Sequence, residues 1–458
     1  MSLSPVRVFA ALNAVRPPDQ PTPRLGKAVV VGGSVAGLLA ARVLSDHAES
    51  VVLLDRDDPQ VSGARPGVPQ GTQLHALLPG GLLQLEQLFP GFRQRALAHG
   101  AVEAPPAARR SYLDGRRKVV VPDDEDSLAG SRPLLEGLIR QQVLRLPNVK
   151  TVTARATGLV FDGDAVAGVR YEVDQVPGVE GADLVVDAMG RSSRLSDWLE
   201  QAGWERPATR RMSVHLNYAT ALFRRPEQSP EATVVLALHT PRTMTDIAGA
   251  AFFAIEDGRW MAMMAGYGKD RPGRTAEDFV RRLREQFPPE FGEVAEQEML
   301  GDVQTYHHSD SRRRDFHALR RFPARLVSVG DAVASFNPVY GQGMTAAALH
   351  AACLSAYLSS DPDLSEPARH FLALQKVVVD AAWSTSTSAD LALPHVDGPY
   401  PRGYRVSSWV SRQILTATVT DVAIARRFNE VVSLREHPLS LATPGVILGA
   451  LRANRRAG

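Results

Sequence analysis

The chain of 458 residues has one cysteine, Cys353, so it can form neither an internal disulfide nor a cysteine cluster for a metal. That usage fits a reducing compartment, and a cytoplasmic location is expected. Lysine is scarce too: Lys27, Lys118, Lys150, Lys269 and Lys376 are the only five. Arginine carries nearly all the positive charge, which reads as codon bias rather than chemistry. A net charge of +2 gives no reason to expect a nucleic-acid partner. No apolar run approaches the roughly 18 residues of a membrane span, so none is expected. Neither a G-x-S-x-G nucleophile turn nor an H-E-x-x-H zinc site occurs, and no metal is expected.

What is present is concentrated between Lys27 and Asp55. Ala28 to Val31 reads as a buried parallel strand, Val35 to Leu44 as an amphipathic helix, and Val51 to Leu54 as a second strand closed by Asp55. The turn between them carries a dinucleotide fingerprint of the form G-x-G-x-x-G. Gly32 permits the tight turn and Gly37 close packing of helix on strand, while the middle glycine is replaced by Ser34. The helix start, Val35 and Ala36 included, offers free N–H groups and a partial positive charge to a pyrophosphate. Asp55 can accept hydrogen bonds from a ribose hydroxyl, with Arg56 beside it. This fingerprint alone does not separate FAD from NAD.

Residues 1–26 hold a short apolar run, Val6 to Val15, then several prolines, and read as a flexible arm or short docking helix. Beyond Asp55, a Gly/Pro-rich loop carries Gln70 and His75; structural and catalytic readings of His75 stand level. A helical pattern follows from Ala76 to Phe89, and Tyr112 to Val121 is strand-like. Ser131 is a natural N-cap for the helix beginning at Arg132. Val149 to Val173 reads as an antiparallel meander turning at Asp162-Gly163-Asp164. Next comes a buried strand ending in Asp187, followed by a loop with Gly190. Residues 212–268 are rich in β-runs with a hairpin signal at Asp257-Gly258. Thr275 to Phe287 reads as an amphipathic helix, and Arg312, Arg313 and Arg314 as a solvated face. A last buried strand ends in Gly330-Asp331. A Pro338-bounded loop follows, and Gly341-Gln342-Gly343-Met344 opens an alanine-rich helix, a second dipole-bearing N-terminus. From 366 onward the chain reads as mostly helical.

Three separated motifs, GGSVAG with Asp55, DAMGRSS at 187–193, and VGDAVASFNPVYGQGM at 329–344, together resemble the FAD-dependent monooxygenases of the p-hydroxybenzoate hydroxylase fold. The second departs from the common form by having Ala188 where glycine is usual. Finer likeness, in GVPQGTQLH, YATALFR at 218–224, IEDGRW at 255–260 and the Asp380-Ala381-Ala382-Trp383 helix, is to the squalene-epoxidase-like bacterial epoxidases of polyether pathways, the monensin and lasalocid type. The resemblance implies an α/β fold: a Rossmann-like FAD-binding domain of the glutathione reductase type, a β-sheet substrate domain and a C-terminal helical region. In those terms 1–26 is an N-terminal arm, and 27–100, 131–205 and 319–365 build the FAD domain. Segments 101–130 and 206–318 build the substrate domain, and 366–458 the helical region.

It further implies that Gly32, Ser34, Val35, Ala36, Gly37, Asp55, Arg56, Arg132, Asp187, Gly190, Gly330 and Asp331 hold FAD, with Pro338, Gly341, Gln342, Gly343 and Met344 along the flavin ring. NAD(P)H is the implied electron donor, directly or through a separate flavin reductase. The implied chemistry is oxygen transfer from a flavin C4a-hydroperoxide to an alkene or an electron-rich ring of a lipophilic polyketide- or isoprenoid-like substrate. No acid–base residue is obligatory for epoxidation, and His75 and Tyr218 are candidate positioning residues. An aromatic hydroxylase is the alternative. A flavin halogenase is less favoured because no tryptophan pair has the W-x-W spacing and no lysine lies between Lys27 and Lys118. A non-oxygenating reductase remains the third class.

Overall fold

The computed structural model describes residues 4–58, 63, 65, 67–227, 231–241, 243–244, 247–268 and 271–457; of the positions named above, Lys269 lies outside them. A five-stranded parallel sheet is ordered 326–328, 184–187, 25–31, 48–55, 149–153. Its strands are near-continuous Val/Leu/Ala runs, as expected when both faces are covered. Val29, Val30, Val51 and Val186 are wholly buried. The helices Val35–Leu44 and Gly343–Ser359 pack against one another in this core.

One expectation changes here. Val149–Thr153 does not open a meander; it pairs in parallel with Ala48–Asp55, and only Arg155–Asp162 and Ala165–Val173 are antiparallel. The apolar valines of this segment satisfy either pattern, and the parallel sheet edge takes the first of them. At the N-terminus, Pro5–Asn13 forms a helix whose Val8, Phe9 and Leu12 are buried, and Leu25 already begins the first strand. Of the two readings of this segment, a flexible arm and a short docking helix, the structure shows the second.

An eight-stranded sheet draws its strands from 109–117, 209–267, 304–314 and 334–335. Asp257 and Gly258 both have φ of 60°, the geometry of a tight hairpin turn. One face packs Phe223, Phe252, Trp260 and Met264 against the helices Ala276–Gln286 and Pro289–Ala295. The other carries Val214, Leu216, Phe253, Met261 and Met263. Among the described residues no helix is long and apolar enough to cross a membrane.

Arg312, Arg313 and Arg314 are not a solvated face. Arg313 and Arg314 are buried, Arg313 bonding Asp315 at 2.7 Å and Asp380 at 2.8 Å, and Arg314 the carbonyl of Ala332 at 2.7 Å. A guanidinium can be buried when its fixed fork of donors is satisfied, and here the two fasten the end of the strand Gln304–Arg314 to the helix carrying Asp380 and to the turns at Ala332 and Arg191.

Candidate functional site

Parallel order places the three motifs side by side. The strands ending at Val31, Asp187 and Ser328 are neighbours, so the turns that follow all leave the same carboxyl edge of the sheet, where open α/β sheets bind ligands. These turns touch. A Cβ on Gly32, whose φ is +106°, would lie 2.4 Å from the Ala188 carbonyl oxygen, and one on Gly330 2.5 Å from the Ala36 Cβ. Gly37 admits no side chain, since its Cβ would fall 1.7 Å from Gly32 O. By contrast, a Cβ on Gly190 or Gly343 would meet nothing within 4 Å, so backbone there lies open.

Ser34 is the N-cap position of the helix Val35–Leu44 but does not cap it. Its hydroxyl instead donates to Glu136 Oε2 (3.0 Å) and accepts from Arg132 Nη2 (3.2 Å). The first N–H groups of that helix, with no intrahelical acceptor, remain available to an anion. Arg132 also donates to His75 Nε2 at 3.2 Å, while His75 Nδ1 lies 2.8 Å from the Gln73 carbonyl. His75 is thus the Nδ1–H tautomer. Burial, reinforced by the Arg132 charge, holds its pKa down at about 3. It is a neutral support for Arg132.

Arg65, which the sequence reading did not single out, organises the acidic end. Its guanidinium reaches Asp55 (2.7 Å), Glu136 (2.9 Å), Asp57 (3.2 Å) and the Gly33 carbonyl (3.0 Å). Asp55 also accepts from the N–H groups of Gly33 and, at 2.9 Å, Asp57. Arg56 follows directly in the chain. Asp187 spends its carboxylate on its own surroundings, accepting from Met189 N, Ser193 Oγ and Ser328 Oγ. It shapes the loop that exposes Gly190. Asp331 is half-buried; burial raises its pKa against the opposing charges of Arg132 and Arg191.

Pro338, Tyr340, Gly341 and Gln342 line a cavity of about 1670 Å³ between the eight-stranded sheet and the C-terminal helices. Gly343 and Met344 follow as the first residues of the helix Gly343–Ser359. Gly341 has φ of +67°, and the buried Gln342 Oε1 has no hydrogen-bond partner among the described residues. Tyr218 also lines this cavity; its hydroxyl is likewise unpartnered, and burial pushes its pKa well above 10. Phe253 and Met263 are on the cavity wall, while Phe252 points to the opposite face, against Trp260 and Phe291.

A second group absent from the sequence reading is Asp390. Its Oδ1 accepts from Asn337 Nδ2 (2.7 Å) and Tyr340 Oη (2.9 Å), clamping the turn beside the cavity. Its Oδ2 is buried without a partner among the described residues. Burial raises its pKa to about 6, moderated by those two bonds.

A model of an FAD-binding domain family matches residues 26–361. The chain belongs to that family. A protein of Mycobacterium tuberculosis, Rv3254, is 31% identical over 454 residues, 94% of each chain. Among solved structures, the flavin-dependent brominase Bmp2 superposes with a TM-score of 0.65 at 14% identity, covering 94% of this chain and 99% of its own. The p-nitrophenol 4-monooxygenase PnpA from Pseudomonas putida does so with 0.61 at 18%, covering 89% and 98%. These two likenesses are of fold.

The cradle suits the family's cofactor. It has an open glycine turn, two uncapped helix starts, and polar atoms left unpaired beside the second. FAD supplies the redox chemistry. Gly32 to Gly37, Arg132 and Asp55 could hold its dinucleotide half, and Asp331 with the Gly341–Met344 helix start could hold its flavin half.

Proposed function

We propose that this FAD-dependent monooxygenase transfers one oxygen atom from O₂ to a carbon–carbon double bond of a lipophilic, polyketide- or isoprenoid-like substrate. The observation that carries the reading is the large cavity walled by Phe253, Met263, Leu236 and Leu393 that runs up to the Pro338–Gln342 turn. Apolar walls exclude water and orient a chain without ionising it, and methionine lets such a wall adapt. The N–H groups at the helix start after Gln342 stabilise negative charge on whatever lies against them. Arg132 and Asp331 hold the cofactor and His75 fixes Arg132. NAD(P)H supplies the electrons, directly or through a separate reductase.

Halogenation, suggested by the fold likeness to Bmp2, finds less support. Among the described residues the lysines lining the cavity are Lys376, which is ion-paired with Asp380, and Lys118, at the sheet edge remote from the flavin turn. Hydroxylation of an activated ring is the reading that Asp390 and Tyr340 favour, since a carboxylate with a pKa of about 6 beside a phenol can receive a proton.

Turnover of candidate polyenes and phenols under ¹⁸O₂, followed by mass spectrometry, tests this. One ¹⁸O per product, as an epoxide from the polyene, is expected. Reoxidation of bound reduced flavin with no label in any product would point to a non-oxygenating enzyme.

A further inference from the structure

The cavity has a second end. On its sheet wall, ladder partners form one continuous rung. Met263 pairs with Ala251, Ala251 with Leu236, and Leu236 with Ser111. The N–H of Lys118 then donates to the Ser111 carbonyl at 2.8 Å. Side chains opposite each other on a ladder share a face, and all five of these residues line the cavity. The rung spans four strand spacings, about 19 Å. Its Met263 end lies toward Tyr218 and the flavin turn, its Lys118 end at the outer strands of the sheet.

Leu236 and Leu238, large apolar residues left exposed, floor the outer half. There the Lys118 ammonium sits 4.9 Å from the centre of the Phe428 ring. Among the described residues it pairs with no carboxylate, in contrast to Lys27 and Lys376, which are ion-paired with Glu180 and Asp380. Desolvation depresses its pKa, to about 8, with no offsetting charge among the described residues. A desolvated, unpaired ammonium on an apolar wall is costly unless something pairs with it. Among the described residues Asp380 is the one carboxylate lining the cavity, and Lys376 and Arg313 already hold it.

We infer that Lys118 is the anchor for an anionic head group, a carboxylate, at the far end of a long lipophilic substrate whose reacting double bond lies some 19 Å away beside the flavin turn. This rests on the oxygen-transfer reading for the reacting end, but recognition at Lys118 is a binding property that can be read separately. The rung would act as a ruler: anchoring one end of an extended chain selects which double bond reaches the flavin.

The test measures binding to FAD-loaded protein of oleic acid and of methyl oleate, which differ only in charge at the head. Wild type is expected to bind the acid roughly 10- to 100-fold more tightly than the ester, the range of a charge-assisted hydrogen bond. Lys118→Met keeps the stem and removes the charge. It is expected to abolish the preference while leaving ester affinity within about twofold, a control that the cavity is intact; Lys118→Arg should restore most of it. Equal affinity of wild type for acid and ester, failure of the acid to bind, or an unchanged preference in Lys118→Met would overturn the inference. Loss of acid preference with ¹⁸O transfer intact elsewhere, or the reverse, tells failure of the anchor from failure of the oxygen-transfer reading.

Discussion

Single side chains at this site divide into those that meet the ligand and those that hold the first group in place. Asp390 belongs to the second kind, and its titration makes that measurable. Its native pKa is about 6 against 3.8 when unburied, raised by desolvation. The stabilising contribution is complete below 3.8, where the carboxyl is neutral in both states, and is lost as pH rises through about 6. The loss is roughly 3 kcal/mol. Asp390→Asn keeps an oxygen to accept from Asn337 and Tyr340 but cannot ionise. Its melting temperature is expected to exceed wild type at pH 8 and to converge with it near pH 4. A gap that does not change with pH would contradict the burial account. Sequence showed Gly32, Gly37 and Asp55 because their spacing within one turn is itself the motif. Arg65 and Asp390 escaped because their partners are distant in the chain: Glu136 lies 71 residues from Arg65, and Asn337 lies 53 from Asp390.

Elements were more legible than their faces. The helix Val35–Leu44 and the strand Gly249–Ile255 form where periodicity puts them. Yet Gly249–Ile255 is buried on both sides, so alternation could not say which residues meet substrate. Phe252 and Phe253 are therefore an informative pair. Phe252, fully buried with ring centroids 5.1 Å from both Trp260 and Phe291, should lose about 3–5 kcal/mol of stability on replacement by alanine, with little change in KM. Phe253→Ala opens the cavity wall instead. It should lose less stability while changing KM and the range of substrates accepted. Denaturant unfolding and steady-state kinetics on both variants decide this, and the opposite ranking would mean the two faces have been exchanged. The N-terminal helix illustrates the same limit. Its apolar run was visible, but Phe9 has its place in the core because the Gly343–Ser359 and Arg369–Asp390 helices and His437, all more than 300 residues on, come to meet this segment.

At the scale of the molecule, the chain returns three times to one sheet edge, so turns far apart in sequence meet there. The cavity is assembled likewise, from the sheet, the turn at Pro338–Gln342 and the C-terminal helices. No local pattern could announce its volume, whereas each cofactor turn carries its own signature and was readable alone. The central claim is that these turns hold one FAD. It is tested most directly by denaturing the purified protein and identifying the released chromophore by chromatography. The structure predicts FAD, close to one per chain after reconstitution. Release of FMN, or no bound flavin even after FAD is supplied, would contradict it.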